Sequence, residues 1–350
     1  MPVQRIPIEE FLALAALNPV FDVRSPGEYT HAQIPGAGNL ALFSDEERKV
    51  VGTAYKKQGK QKAIKLGLDF FGPKMRTMVE AVEKTIASDK YADSKKILVH
   101  CWRGGMRSSS VAWLLDLYGF DVYTLAGGYK AYRNWVIDQF EKTYDIQVLG
   151  GYTGSGKTTI LHELITKNQR VINLEKLANH KGSAFGGIGQ GEQPTQEMFE
   201  NLLATELHKN STNCFWLEDE SQRIGRIHIP QPFWLQMRTK PVFFIDIPFE
   251  ERLQYIVQEY GSCNKESMQL SIERIQKRLG PLETKTALAS LQNDEIQDCF
   301  SILLHYYDKH YTKGLHNREN FESRLNKIPC LHVDSIVNAQ KLVTCLTVNI

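Results

Sequence analysis

Two short stretches hold most of the residues that can do chemistry in this chain of 350 residues. In "VHCWRGGMRSSS" (99–110), Cys101 follows a β-like run, and Arg103 and Arg107 lie just beyond it. A helix is predicted to begin near Ser108, so the loop amides converge on a helix N-terminus, where unpaired N–H groups and the macrodipole favour an anion. A cysteine sulfur there is expected to be partly thiolate, the nucleophilic form. Arg107 can clamp a tetrahedral oxyanion with two parallel hydrogen bonds.

The second stretch, "GGYTGSGKTT" (150–159), satisfies G-x4-G-K-T between a predicted strand and a predicted helix, the context a P-loop requires. Gly151, Gly154, Ser155, Gly156, Thr158 and Thr159 belong to the cradle, whose amides from Tyr152 onward hold a di- or triphosphate. Lys157 neutralises its charge. Thr158 can hold Mg²⁺ if the ligand brings one. For the acidic Walker B position, Glu218 and Asp219 in "FWLEDES" are preferred to Asp246 in "FFIDIP" because they sit in a dense acidic cluster. Such a loop does not declare its ligand, and ATP is only the default.

The elements that position these loops follow from hydrophobic periodicity. Strands are predicted at 18–25, 95–101 and 122–128, with helices at 108–120 and 129–142. A second unit opens with the strand 146–151 and continues with strands at 170–175, 213–219 and 241–248. Beyond about 250 the pattern is mostly helical. Strands alternating with helices predict α/β units, the second a doubly wound parallel sheet with a helical C-terminal part. The boundary falls near 140–146, giving units 1–142 and 143–350. The segment 181–194, with five glycines, is a candidate mobile loop.

A net charge of +2 and 23% charged residues are ordinary for a globular protein and permit a nucleic-acid partner without requiring one. The N-terminus lacks the pattern of a signal peptide, and no apolar run reaches the ~18–20 residues of a membrane span. The six cysteines have neither CxxC pairs nor metal spacing. Reduced thiols in a cytoplasmic protein are expected.

"FDVRSPGEYTHAQIPGAGNL" (21–40), "HCWRGGMRSSS" and "TLAGGYKAYRNW" (124–135) together resemble a rhodanese domain. That resemblance implies that Cys101 carries a chalcogen and that Asp22 and Arg24 brace its loop. The spacing Cys101-x5-Arg107 is longer than in many single-domain rhodaneses and matches cysteine phosphatases of the same fold. Dephosphorylation and chalcogen transfer from a phosphorylated donor both remain open on the loop alone. With "GGYTGSGKT", "ANHKGSAFGG" (178–187) and "LEDESQRIGRIHIP" (217–230) added, nearly the whole chain resembles the tRNA 2-selenouridine synthase family.

The resemblance implies a transferase acting on 2-thiouridine at the tRNA wobble position. It implies S-geranylation with geranyl diphosphate, then replacement of the S-geranyl group by selenium from selenophosphate. Cys101 would carry selenium or hold its donor, and Lys157 would stabilise the departing diphosphate. No tightly bound cofactor is implied. For tRNA, the basic insertion (about 43–90) offers Lys56, Lys57, Lys60 and Lys62, with Tyr55 or Phe70 to stack on a base. Lys181 in the glycine-rich loop, Arg223 and Arg226 are further candidates. Two other readings stand beside this one. The first is a cysteine-dependent phosphatase or sulfurtransferase fused to a kinase-like P-loop domain; the second is a nucleotide-gated RNA-binding module with an inert Cys101.

Overall fold

The computed structural model describes residues 3–87, 91, 95–261 and 263–348, so the expected insertion is described as far as residue 87 and its residues 88–90 lie outside the described residues. The chain divides into two compact units, one of residues 1–139 with 200–205, the other of 140–199 with 206–350.

The first unit is built on a parallel sheet of β1 (Gln4–Ile6), β2 (Val20–Asp22), β3 (Gly38–Asn39), β4 (Lys96–His100) and β5 (Asp121–Leu125), in the order β1-β5-β4-β2-β3. Central β4 reads as a continuous apolar run because both its faces are covered: Ile97, Leu98 and Val99 are fully buried. Cys101 follows at its carboxyl end, and the helix Met106–Tyr118 begins five residues on, with no side chain capping its first amides. Those amides remain available to a ligand. Short β1 has no counterpart in the sequence prediction.

The basic insertion folds as successive helices, its lysine-bearing part as Asp45–Gln58 and Lys60–Phe71, followed by a 3-10 turn Gly72–Lys74 and the helix Met75–Ile86. Ser44 and Glu47 form a reciprocal capping box at the first. Gly59, with φ of +89°, turns the chain between the first two, a conformation that glycine adopts without strain.

The second unit holds β6 (Ile146–Gly151), β7 (Phe215–Glu218), the short hairpin strands β8 (Arg223–Ile224) and β9 (Ile227–His228), β10 (Val242–Asp246) and β11 (Leu325–Pro329). Its main sheet is parallel, in the order β11-β10-β6-β7. The chain moves from β6 to β7 on one side and then to β10 on the other. The P-loop therefore leaves β6 at the point where strand order reverses, the usual place for a ligand in such sheets.

Two local predictions are corrected. Residues 170–175 contribute only an isolated bridge from Val171 to Trp216. The Asn173 side chain then accepts from the Lys176 amide and starts the helix Leu174–Ala178, because an asparagine N-cap outweighs the β propensity before it. The C-terminal region is mostly helical, as expected, but the strands predicted from sequence omitted β11, which pairs with β10 along its length. Among the described residues no helix is long and apolar enough to cross a membrane.

Candidate functional sites: a cysteine loop and a phosphate loop

Cys101 is almost fully buried, and its Sγ lies 3.2 Å from Ser108 Oγ. Burial pushes the thiol up, but the Ser108 hydroxyl and the amides of Gly105, Ser108 and Arg103 outweigh it and hold the pKa below its ordinary value. Thiolate character at the head of a helix is thus built from local hydrogen bonds. The loop is fastened from beneath: the Tyr129 amide donates to the Cys101 carbonyl at 2.8 Å, and the Lys130 amide to the Trp102 carbonyl at 3.0 Å. Gly104 and Gly128 meet backbone to backbone, so closely that a Cβ on Gly128 would fall 2.3 Å from the Cys101 oxygen.

Asp22 and Arg24 form a buried pair, Arg24 Nη2 donating to Asp22 Oδ2 at 2.6 Å and to the Ala32 carbonyl at 2.7 Å. The guanidinium also lies 3.8 Å from the Tyr129 ring centroid. This couples β2 to the helix that fastens the cysteine loop. His100 is fully buried beside them, Nε2 lying 3.8 Å from Asp22 Oδ2, with no hydrogen-bond partner for either ring nitrogen among the described residues, and burial holds its pKa down.

Arg103 is exposed on the loop. The sequence reading turned Arg107 toward an anion at Cys101, but here its guanidinium binds Glu28, Nη1 donating to Oε2 at 2.7 Å. Glu28 lies 79 residues away along the chain, and spacing within the loop motif carries no signal of it.

At the second loop, Gly151 ends β6 and Gly156 precedes the helix Lys157–Thr166. Lys157 Nζ donates to the Gly151 carbonyl at 3.0 Å, folding back over the cradle. Ser155 and Thr159 hydroxyls brace the loop on the carbonyls of Tyr152 and Gly156, and Thr158 donates to Glu175 at 3.0 Å. Gly154 has φ of +84°, and a Cβ there would press to 2.9 Å on Ile256 and on the Arg252 carbonyl oxygen. Only glycine fits both constraints.

The two acidic candidates separate. Glu218, at the end of β7, is fully buried, its Oε1 without a hydrogen-bond partner among the described residues, and burial together with the Glu175 carboxylate raises its pKa to about 8. Asp219 instead accepts from Tyr311 at 2.7 Å and binds Arg318 in a buried ion pair. Glu175, raised by burial, and Glu220 complete a group of carboxylates whose oxygens lie within 4.8 Å of one another. The sequence reading missed Glu175, which it placed at the end of a strand. It also missed Arg318, in a helical region without a motif. Asp246 ends β10 exposed.

The P-loop opens on a cavity of about 680 Å³ within the second unit. It is lined by polar groups, among them Lys157, Thr158, Lys181, Glu218 and Arg318, and by Phe185, Ile256, Tyr260, Phe300, Leu303 and Leu304. Lys181 pairs with Glu259. The glycine-rich loop is held in consecutive turns, the Lys181 amide on the Gly186 carbonyl at 2.9 Å, with Phe185 buried. Of the other basic candidates, Lys56, Lys57, Lys60 and Lys62 are all exposed on the two helices of the insertion. Tyr55 is exposed too, whereas Phe70 packs edge-on against Phe43 and is not free to stack on a base. Arg223 and Arg226 lie on the β8–β9 hairpin. Arg226 binds Glu192 and the Gln193 carbonyl, and Arg223 the Gly225 carbonyl.

A rhodanese-type cysteine loop in one unit and a P-loop in another define the chain as a two-domain enzyme. Residues 8–134 match the rhodanese-like domain family, and residues 144–327 match the tRNA 2-selenouridine synthase AAA domain. The tRNA 2-selenouridine synthase of Bdellovibrio bacteriovorus is 34% identical over 86% of this chain and 89% of its own. That of Hydrogenovibrio crunogenus is 35% identical over 86% and 90%, and that of Nitrosomonas europaea 38% identical over 73% and 67%. The chain belongs to the tRNA 2-selenouridine synthase family and is an enzyme of the transferase type.

Proposed function

We propose that this enzyme converts 2-thiouridine at the wobble position of tRNA to 2-selenouridine in two transfers. In the first, the sulfur attacks C1 of geranyl diphosphate, a C–S bond forms, the C–O bond breaks and diphosphate leaves. Charge builds on the leaving group, and preorganised cations and amides at that point stabilise it by a few kcal/mol. Lys157 and the amides of Tyr152–Thr159 are placed for that role. In the second, selenium of selenophosphate bonds to C2, the C2–S bond breaks and geranyl thiol departs with a proton, and water cleaves the Se–P bond to release phosphate. The Cys101 loop receives the selenium donor, its anionic head meeting the uncapped amides before Ser108.

The observation that carries the first transfer is the cavity itself, which the phosphate cradle lines together with large apolar and aromatic side chains. Within it the donor set suits a divalent cation, since three carboxylates crowd together and one buried oxygen of Glu218 has no hydrogen-bond partner among the described residues. Thr158, Glu175 and Glu218 would hold Mg²⁺, which when bound neutralises charge on the diphosphate. The exposed lysines of the insertion contact tRNA phosphates, with Lys181, Arg223 and Arg226 adding positive charge near the second loop.

The test is nucleoside mass analysis of 2-thiouridine tRNA incubated with enzyme, geranyl diphosphate and selenophosphate. Lys157→Ala is expected to block S-geranylation, and chemically geranylated tRNA should bypass that block. Cys101→Ser is expected to geranylate normally and accumulate the S-geranyl product. A folded Cys101→Ser variant that no longer geranylates would refute this division of labour.

A further inference from the structure

We propose that the apolar side of the P-loop cavity is the subsite for the hydrocarbon chain, and that an aromatic cluster at its far end selects chain length. The inference rests on the reading of the second unit as a prenyl diphosphate site and adds to it where the chain lies and which residues measure it.

Two helices carry the argument. On Phe249–Tyr260, Ile256 stands directly against the phosphate loop, within 2.9 Å of where a Gly154 Cβ would be. Tyr260 follows one turn farther on the same face. On Ile296–His316, Tyr311 accepts from the Gly151 amide at 3.2 Å, which fixes that end of the helix at the cradle. Tyr307, Leu304, Leu303 and Phe300 continue away from it at helical spacing, all lining the cavity. From Tyr311 back to Phe300 is eleven residues, about 16 Å of helix. The stripe thus begins at the phosphates and runs outward along one face.

Its far end is closed by three rings. Phe185, Tyr260 and Phe300 surround one another with centroids 5.8–6.3 Å apart. Phe185, Ile256, Phe300, Leu303 and Leu304 have no hydrogen-bonding side-chain groups, which leaves the hydroxyls of Tyr260 and of Tyr307, the latter accepting from the Ala184 amide at 3.3 Å, as the polar groups among the seven residues named. A purine ring placed there would leave its polar edge unsatisfied, a penalty that a hydrocarbon does not incur. The glycine-rich loop contributes Phe185 to the ring cluster, and Lys181, four residues earlier, stands in the same cavity above the Tyr260 ring with its charge met by Glu259.

The experiment is calorimetric titration of the full chain, without tRNA, with inorganic diphosphate, geranyl diphosphate, farnesyl diphosphate and ADP. The wild type is expected to bind geranyl diphosphate at least ten-fold more tightly than inorganic diphosphate. Leu304→Trp should remove that gain while leaving inorganic diphosphate affinity unchanged, the latter also reporting an intact fold. Phe300→Ala should shift preference toward farnesyl diphosphate. If the wild type gains nothing from the chain, or binds ADP better, the prenyl diphosphate reading itself fails. If the gain is present but neither variant alters it, the reading stands and this subsite is wrong. A geranyl diphosphate analogue with a terminal diazirine needs no variant. It should label the wild-type peptide spanning Phe300–Tyr307 or Phe185, and labelling confined to other segments overturns the proposal.

Discussion

Arg107 donates to the carboxylate of Glu28, and Arg48 reaches the same carboxylate at 2.9 Å, so the helix after Cys101 is tied to the helix Pro26–His31. Burial pushes Glu28 up, but the guanidiniums and the Ser25 amide prevail and hold its pKa below the ordinary carboxylate value. A depressed carboxylate stabilises the fold above its unfolded pKa and loses that contribution as pH falls through its folded one. Glu28→Gln should therefore destabilise the first unit by about 1–2 kcal/mol at pH 7. The difference should shrink as pH falls below the ~4.3 of a free glutamate and vanish once the depressed folded pKa is passed. Urea unfolding at pH 7 and in acid measures it, and a deficit that persists in acid would contradict the ion-pair account.

The Cys101 thiol offers a second pH measurement. Thiolate absorbance near 240 nm, taken as wild type minus Cys101→Ser, should titrate below the ~8.5 of a free cysteine. Removing the hydroxyl 3.2 Å from the sulfur by Ser108→Ala should move the midpoint upward. An unmoved midpoint would leave the amides alone responsible.

Asp219 and Arg318 are each about nineteen-twentieths buried at their side chains. Asp219→Asn leaves the guanidinium without its counter-charge, and breaking such a pair typically costs about 3–5 kcal/mol. Chemical denaturation should show a loss of that size in the second unit. Glu218→Gln, which removes no ion pair, should not share it.

The lysine-bearing helices of the insertion predict a salt effect. Replacing Lys56, Lys57, Lys60 and Lys62 together by Gln should weaken tRNA binding. It should also flatten the slope of log affinity against log salt by roughly 0.7–0.9 for each phosphate no longer neutralised. Filter binding across a salt series reads both quantities. An unchanged slope would remove this surface from the tRNA interface.

Both anion loops were legible because each is a local construction, with strand, glycines and helix start lying within a dozen residues of sequence. The lysines of the insertion were legible as a charge run, though not as a pair of helices. What escaped was assembled at a distance. Glu28 reaches Arg107 across 79 residues. Glu175 depends on Asn173 turning a short apolar run into a helix start. The apolar wall draws residues from the glycine-rich loop and two separate helices, where ordinary amphipathic periodicity explains each residue equally well as core. Strand β11 was hidden by its polar Asn326 and Lys327 and by its closing Pro329, which read as a break in a helical region.

The arrangement of the two sheets has a consequence for biosynthesis. The first sheet is complete once β5 is made, because β1 pairs with Tyr123–Leu125 and every other strand lies between them. The central strand β6 must wait for β7 and then β10, and the sheet is complete only when β11, ending at Pro329, joins β10. At ribosomal speeds of about 5–20 residues per second, some 200 further residues take roughly 10–40 s. During that interval the cysteine loop already has its strand and helix, while the Gly-rich phosphate loop emerges on a strand that still lacks its neighbours. A nascent chain stalled once residue 141 has left the ribosome should therefore protect Cys101 from alkylation, whereas chains stalled before β10 is made should leave the phosphate-loop segment open to protease.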